Sequence, residues 1–117
     1  MSDRPDIDIA AFRARLGAER ASLQADSAAR AEDRAPVTLD QQSVGRLSRV
    51  DAMQMQEMAT ATERRRQQRL RRLDAALARL ETEEFGWCTL CGEEIGTPRL
   101  DADPTVPTCV GCARGSA

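Results

Sequence analysis

The sequence predicts a mostly α protein, a long antiparallel helical hairpin (coiled coil) followed by a small four-cysteine finger. Three observations predict it. Apolar residues recur at helical spacing through most of the chain before residue 84, a proline-marked break at residues 32–37 divides that pattern, and all four cysteines lie after residue 87 as two Cys-x-x-Cys pairs. The expected organisation is a helical hairpin over residues 1–84, with its tip near 35–51, and a four-cysteine module over 85–117.

Residues 1–6 are polar and hold Pro5, which predicts a frayed start. From about residue 8, Ile9, Phe12, Leu16 and Leu23 form one stripe of an amphipathic helix running to about residue 31. Asp3, Asp6 and Asp8 near its start complement the helix dipole. Pro36 disfavours helix for the residue before it, and Thr38-Leu39-Asp40-Gln41 reads as a capping box that opens a second helix over residues 39–84. The near half of that helix carries Val44, Leu47, Met55 and Met58. Its far half carries Leu70, Leu73, Leu77 and Leu80 in the alternating three-four spacing of a coiled coil. Thr62 and Arg66 continue the stripe between them in steps of four, a stutter in the heptad.

Two such helices joined by a short turn fold back as an αα-hairpin. A turn centred near Val37 sets Ile9 opposite Arg66 and Gln67 and leaves residues 70–80 beyond the first helix. Those leucines then need cover from the N-terminal segment, the cysteine module or a second copy. The same register brings Asp3, Asp6 and Asp8 toward Arg69, Arg71 and Arg72.

Cys88-Thr89-Leu90-Cys91 and Cys109-Val110-Gly111-Cys112 are separated by seventeen residues. Zn2+ favours four tetrahedral ligands, and two residues between cysteines let one tight knuckle present both sulfurs. Gly92 and Gly111, at or inside the knuckles, suit a backbone that needs positive φ or close approach to sulfur. Two disulfides would suit a secreted chain, but no basic start followed by an apolar run opens the sequence. A redox Cys-x-x-Cys opens a helix after a strand, a context absent from the pattern here. The expectation is one structural Zn2+ on Cys88, Cys91, Cys109 and Cys112. A full thiolate set leaves no open position for water, which argues against catalysis by the metal. Ile95, Leu100, Val106 and Val110 are expected to form the finger's small core, with Phe85 and Trp87 packed between it and the helix end. So few apolar residues couple the finger's folding to metal binding.

Composition narrows the function classes. There is no histidine or tyrosine and aromatics are 3%, which removes a His-based triad and leaves little for stacking on bases. The net charge of −2 gives no global attraction for nucleic acid or membrane, and no apolar run approaches the roughly 20 residues that span a bilayer. The expected class is a soluble cytoplasmic protein that is not an enzyme. Arg64, Arg65, Arg66, Arg69, Arg71 and Arg72 crowd one stretch of helix. A phosphate-binding patch is one reading; a solvated face, helped by Glu63 and Arg66 at i, i+3, is the one such runs favour. The finger sets Glu93, Glu94, Asp101 and Asp103 against Arg99 and Arg114, so no sequence-specific DNA binding is expected.

The most specific stretch is Glu83-Glu84-Phe85-Gly86-Trp87-Cys88-Thr89-Leu90-Cys91-Gly92-Glu93-Glu94-Ile95-Gly96, then Pro98-Arg99-Leu100 and the second cysteine pair. It resembles the DksA/TraR family of bacterial zinc-finger transcription factors, most specifically over residues 83–112 and more loosely back to about residue 36. The resemblance implies binding to RNA polymerase, with the hairpin inserted through the secondary channel, its polar tip near the catalytic centre, and the cysteines as a structural joint. In some members the alarmone ppGpp takes part. The Asp-x-x-Asp-x-Ala tip signature of the best-known members does not occur here; Asp40 and Asp51 are the nearest candidates for partner-binding tip residues. The alternative reading is a zinc-stabilised helical adaptor or dimerising protein that binds through the stripe at residues 70–80 and has no polymerase activity.

Overall fold

The computed structural model describes residues 4–35 and 46–115, with side chains from residue 49 onward in the second stretch. Among the described residues four helices form in order: α1 (Ile9–Ala29), α2 (Arg46–Glu81), α3 (Thr97–Ala102) and α4 (Val110–Ala113), with a 3-10 turn at Ala31–Arg34 after α1. No strand occurs among the described residues, and one isolated antiparallel bridge joins Trp87 to Glu94. No helix among them is long and apolar enough to cross a membrane. The expected capping box at Thr38–Gln41 lies outside the described residues.

The chain gathers into two compact units: Met1–Ala21 with Leu70–Ala117, and Ser22–Arg69. The boundary expected at residue 84 therefore falls inside the first unit. Every fully buried apolar side chain among the described residues belongs to that unit. Ile7, Phe12 and Leu16 come from the N-terminal end, Leu70, Leu73, Ala76 and Leu80 from α2, and Phe85, Cys88, Ile95 and Leu100 from the finger. Phe85 is buried and its ring stands 5.1 Å from that of Phe12, a partner on α1 that the sequence reading did not name, while Trp87 is half-buried. Pro104 and Thr105 complete the finger's core, while Val110, expected there, is exposed.

Within this unit α1 and α2 run antiparallel, with Arg13 near Glu81 at 3.9 Å and Arg20 on Asp74 at 2.5 Å. This overturns the register drawn from a turn at Val37. Arg13 and Arg20 lie opposite Glu81 and Asp74, where that register set them opposite residues 62 and 55. Residues 70–80 consequently do not overhang: Leu70, Leu73 and Leu80 are buried within the chain itself. The reason for invoking a second copy falls away. Asp6 and Asp8 do not meet the α2 arginines either. Asp6 pairs with Arg4, and Asp8 Oδ1 accepts the Ala11 amide at 3.0 Å as a helix N-cap.

The N-terminal segment is not frayed from residue 4 onward. Arg4 and Ile7 are both buried, and a turn closes between them through the Ile7 amide and the Arg4 carbonyl at 3.0 Å. Ile7 takes the inward place expected of Ile9, which is exposed. At its other end α2 terminates on Glu83, whose φ of 63° lets the Glu84 and Phe85 amides both reach the Arg79 carbonyl, at 2.8 and 3.1 Å.

The second unit has no fully buried apolar side chain among its described residues; Leu23 is half-buried. A polar cluster holds it instead. Glu63 accepts from Ser27 Oγ at 2.6 Å, from Arg66 at 2.9 Å and from Gln67 at 2.7 Å, and lies 3.1 Å from Arg34 of the 3-10 turn. Gln56 Nε2 donates to the Ala35 carbonyl at 2.7 Å. Met55 and Met58, expected on the inward stripe, both point outward.

Candidate metal centre

The first knuckle forms because a short antiparallel pairing brings its ends together. The Ile95 amide donates to the Gly86 carbonyl at 2.8 Å, and the Cys88 amide to the Glu93 carbonyl at 2.8 Å. Gly92 then turns the chain with φ of 77°, its amide bonded back to the Cys88 carbonyl at 3.0 Å. The second knuckle is carried by α4, which starts directly after Cys109. Gly111 sits inside that helix without positive φ, and a Cβ there would lie 4.0 Å from Cys109 Sγ. Two bonds fix the knuckles against each other's surroundings. The Thr89 amide donates to the Pro107 carbonyl at 2.9 Å, and Arg99 Nε of α3 to the Thr108 carbonyl at 2.9 Å.

The result gathers the Sγ atoms of Cys88, Cys91, Cys109 and Cys112 within 4.8 Å of one another. Cys91 and Cys109 sulfurs are 3.7 Å apart. A tetrahedron with Zn–S bonds of about 2.3 Å has edges of about 3.8 Å. A disulfide needs about 2.05 Å, and all four cysteines are free. The electrostatics point the same way. Burial pushes the Cys88 thiol up, but the amides of Cys91, Cys109 and Leu90 pull it down further, to about 6. Cys112 is pushed up to about 12 by the sulfurs of Cys109, Cys88 and Cys91, and then by burial. The amide of Glu93 pulls the Cys91 thiol down, but the sulfurs of Cys88 and Cys109 together with burial outweigh it and leave the thiol raised. Four thiolates this close repel strongly unless a cation sits among them, and a divalent soft-ligand metal satisfies all four. This donor set fits one structural Zn2+.

Sequence reasoning missed two residues that build the site. Gly86 has φ of 89°, and a Cβ there would meet Ile7 Cδ1 at 2.7 Å. Arg4 donates through Nη1 to the carbonyls of Gly86 at 2.7 Å and Ile95 at 2.6 Å, across the base of the first knuckle. Gly86 stood in plain view between two aromatics, whereas nothing in the local pattern around Arg4 marks it as buried.

Of the two tip candidates, one falls within the described residues. Asp51 is exposed on α2, and Asp40 lies outside the described residues. Of the arginine run, Arg65 reaches Thr62 at 3.1 Å and Arg66 reaches Glu63, while Arg64, Arg71 and Arg72 are exposed to solvent.

Residues 83–116 match the family described as prokaryotic dksA/traR C4-type zinc finger. Over 43 residues the chain is 46% identical to the RNA polymerase-binding transcription factor DksA of Haemophilus influenzae, covering 37% of this chain and 30% of that protein. The protein of the same name from Escherichia coli K12 is 42% identical over 43 residues, 37% of this chain and 28% of the relative. The matched stretch thus spans less than a third of these relatives. The fold extends the likeness. The structure of transcription factor DksA2 from Pseudomonas aeruginosa superimposes with a TM-score of 0.76 at 26% identity, over 92% of this chain and 81% of that one.

Proposed function

We propose that this chain, a zinc-finger protein of the DksA/TraR family, regulates transcription by binding bacterial RNA polymerase through the segment that joins α1 to α2. One observation carries the reading: the four-cysteine finger occurs together with the helical fold of DksA2, over most of this chain. The curated relatives that share the finger are named as RNA polymerase-binding factors. In this reading residues 1–84 act as the hairpin, with its tip near 35–51, and residues 85–117 as the finger. Cys88, Cys91, Cys109 and Cys112 hold one zinc ion whose role is structural. Asp40 and Asp51 are the tip residues that contact the polymerase. The protein works in the cytoplasm as a regulator and catalyses no reaction of its own.

The test is a pull-down with bacterial core RNA polymerase, followed by transcription assays with the intact chain and with an Asp40→Ala/Asp51→Ala variant. Retained binding with lost regulation is the expected result for the variant. Full regulation by the variant removes the two aspartates from the proposal, and no binding by the intact chain rejects the polymerase reading.

A further inference from the structure

Arg4 precedes Gly86 by 82 positions, yet its guanidinium is built into the finger. The side chain is 4% exposed. Besides the two carbonyls on Nη1, its Nη2 pairs with Asp6 at 2.8 Å, its Nε faces Glu94 at 3.4 Å, and its Cζ lies 5.9 Å from the centroid of the Trp87 ring. The Gly86 carbonyl also accepts the Ile95 amide, so one guanidinium bridges both sides of the loop that carries Cys88 and Cys91. Ile7 follows and fills the space that only a glycine at 86 leaves open.

A buried cation is costly wherever its acceptors are not in place. These acceptors converge only when the loop between Gly86 and Ile95 is closed, and a zinc ion on Cys88 and Cys91 enforces that closure. We propose that Arg4 makes the N-terminal segment a metal-dependent strap. It docks on the closed first knuckle and, through the same contacts, holds the knuckle shut around the metal. Coupling of this kind is reciprocal: whatever zinc contributes to docking the strap, the strap contributes to retaining zinc. Loss of the metal frees the segment at residues 4–7 and uncovers Ile7, which packs on Gly86.

The strap rests on the zinc site and is independent of polymerase binding. Zinc content of the purified full-length protein, measured first, separates a failed metal site from a failed strap. Zinc release to a chromogenic chelator is then followed in wild type, Arg4→Ala, Arg4→Lys and Leu73→Ala, with Trp87, the sole tryptophan, as the fluorescent reporter. Charge-assisted hydrogen bonds of this kind support an acceleration of about tenfold for Arg4→Ala, with Arg4→Lys intermediate. Leu73→Ala, a core change in the same unit, is expected to lower the melting temperature without a comparable acceleration. Release from Arg4→Ala at the wild-type rate overturns the proposal, as does equal acceleration in Leu73→Ala. The reciprocal arm uses the unchanged chain and so decides even if Arg4→Ala does not fold. Removing zinc should raise hydrogen exchange at the Ile7 amide, and unchanged protection there rejects the strap.

Discussion

Gly86 and Gly92 share nearly the same backbone, φ of 89° and 77°, but not the same surroundings. An added Cβ at Gly92 meets nothing within 4 Å, whereas at Gly86 it meets Ile7 Cδ1 at 2.7 Å and Arg4 Nη1 at 3.2 Å. Gly92→Ala should therefore cost only the left-handed backbone strain, about 1 kcal/mol. Gly86→Ala adds displacement of the Arg4 and Ile7 side chains and should cost at least about 3 kcal/mol. Denaturant unfolding of the zinc-loaded variants ranks them, and equal losses would contradict the packing around Gly86. The cysteines were legible because metal chemistry restricts residue type and spacing together. Gly92 was legible because it directly follows a knuckle. Arg4 was not, since a buried arginine is defined by acceptors that only the folded chain brings together, here the carbonyls of Gly86 and Ile95. Asp40 and Asp51 rested on resemblance alone.

At the scale of elements, α2 teaches why apolar residues misled. Its less exposed positions run through 56, 59, 63, 66, 70, 73, 77 and 80, none of them exposed. That is an unbroken three-four alternation, so the stutter inferred from the steps of four through Thr62 and Arg66 does not exist. The stripe continues through polar Gln56, Glu63 and Arg66, and a search for apolar residues slips one position onto the outward methionines. The Glu63 cluster follows from this polar stripe and predicts a pH dependence. The Ser27 hydroxyl, then Gln67, Arg66 and Arg34, hold the Glu63 carboxyl at about 2 from its ordinary 4.5, against a smaller upward push from burial. A depressed carboxyl contributes stability above its unfolded pKa and loses it as pH falls through the folded one. The stability gap between wild type and Glu63→Gln should thus be constant near neutrality and shrink as pH falls from about 4.5 toward 2. Helical circular dichroism under denaturant at a series of pH values reads this directly, and a gap that widens on acidification would be the wrong sign. The C-terminal end of α2 offers a second test. Glu83 occupies a left-handed conformation that suits glycine, so Glu83→Gly should raise stability by about 1 kcal/mol in the same unfolding assay.

Across the whole molecule, the means of stabilisation differ between the two units. Leu16, Leu73, Ile95 and Leu100 are fully enclosed in the first, which also carries the four-cysteine site, while the second is held by hydrogen bonds and ion pairs around Glu63. Hairpin and finger were each legible as elements, from periodicity and from cysteine spacing. Their grouping was not, because it depends on how far α1 reaches along α2, and a helical stripe carries no record of its partner's register. Burial of apolar surface is worth about 25 cal/mol per Å², whereas an individual hydrogen bond contributes a net of about 0.5–1.5 kcal/mol. Opening of the second unit should accordingly take less free energy than opening of the first. Native-state hydrogen exchange on the zinc-loaded protein tests this along one helix: amides at residues 70–80 of α2 should be protected severalfold to orders of magnitude more than those at residues 52–66. Chelation of zinc should lower protection through residues 86–112 and at Ile7, because the finger's few apolar side chains do not close the knuckles without the metal. Uniform protection along α2 would mean that the Glu63 cluster stabilises the second unit as well as the apolar core stabilises the first.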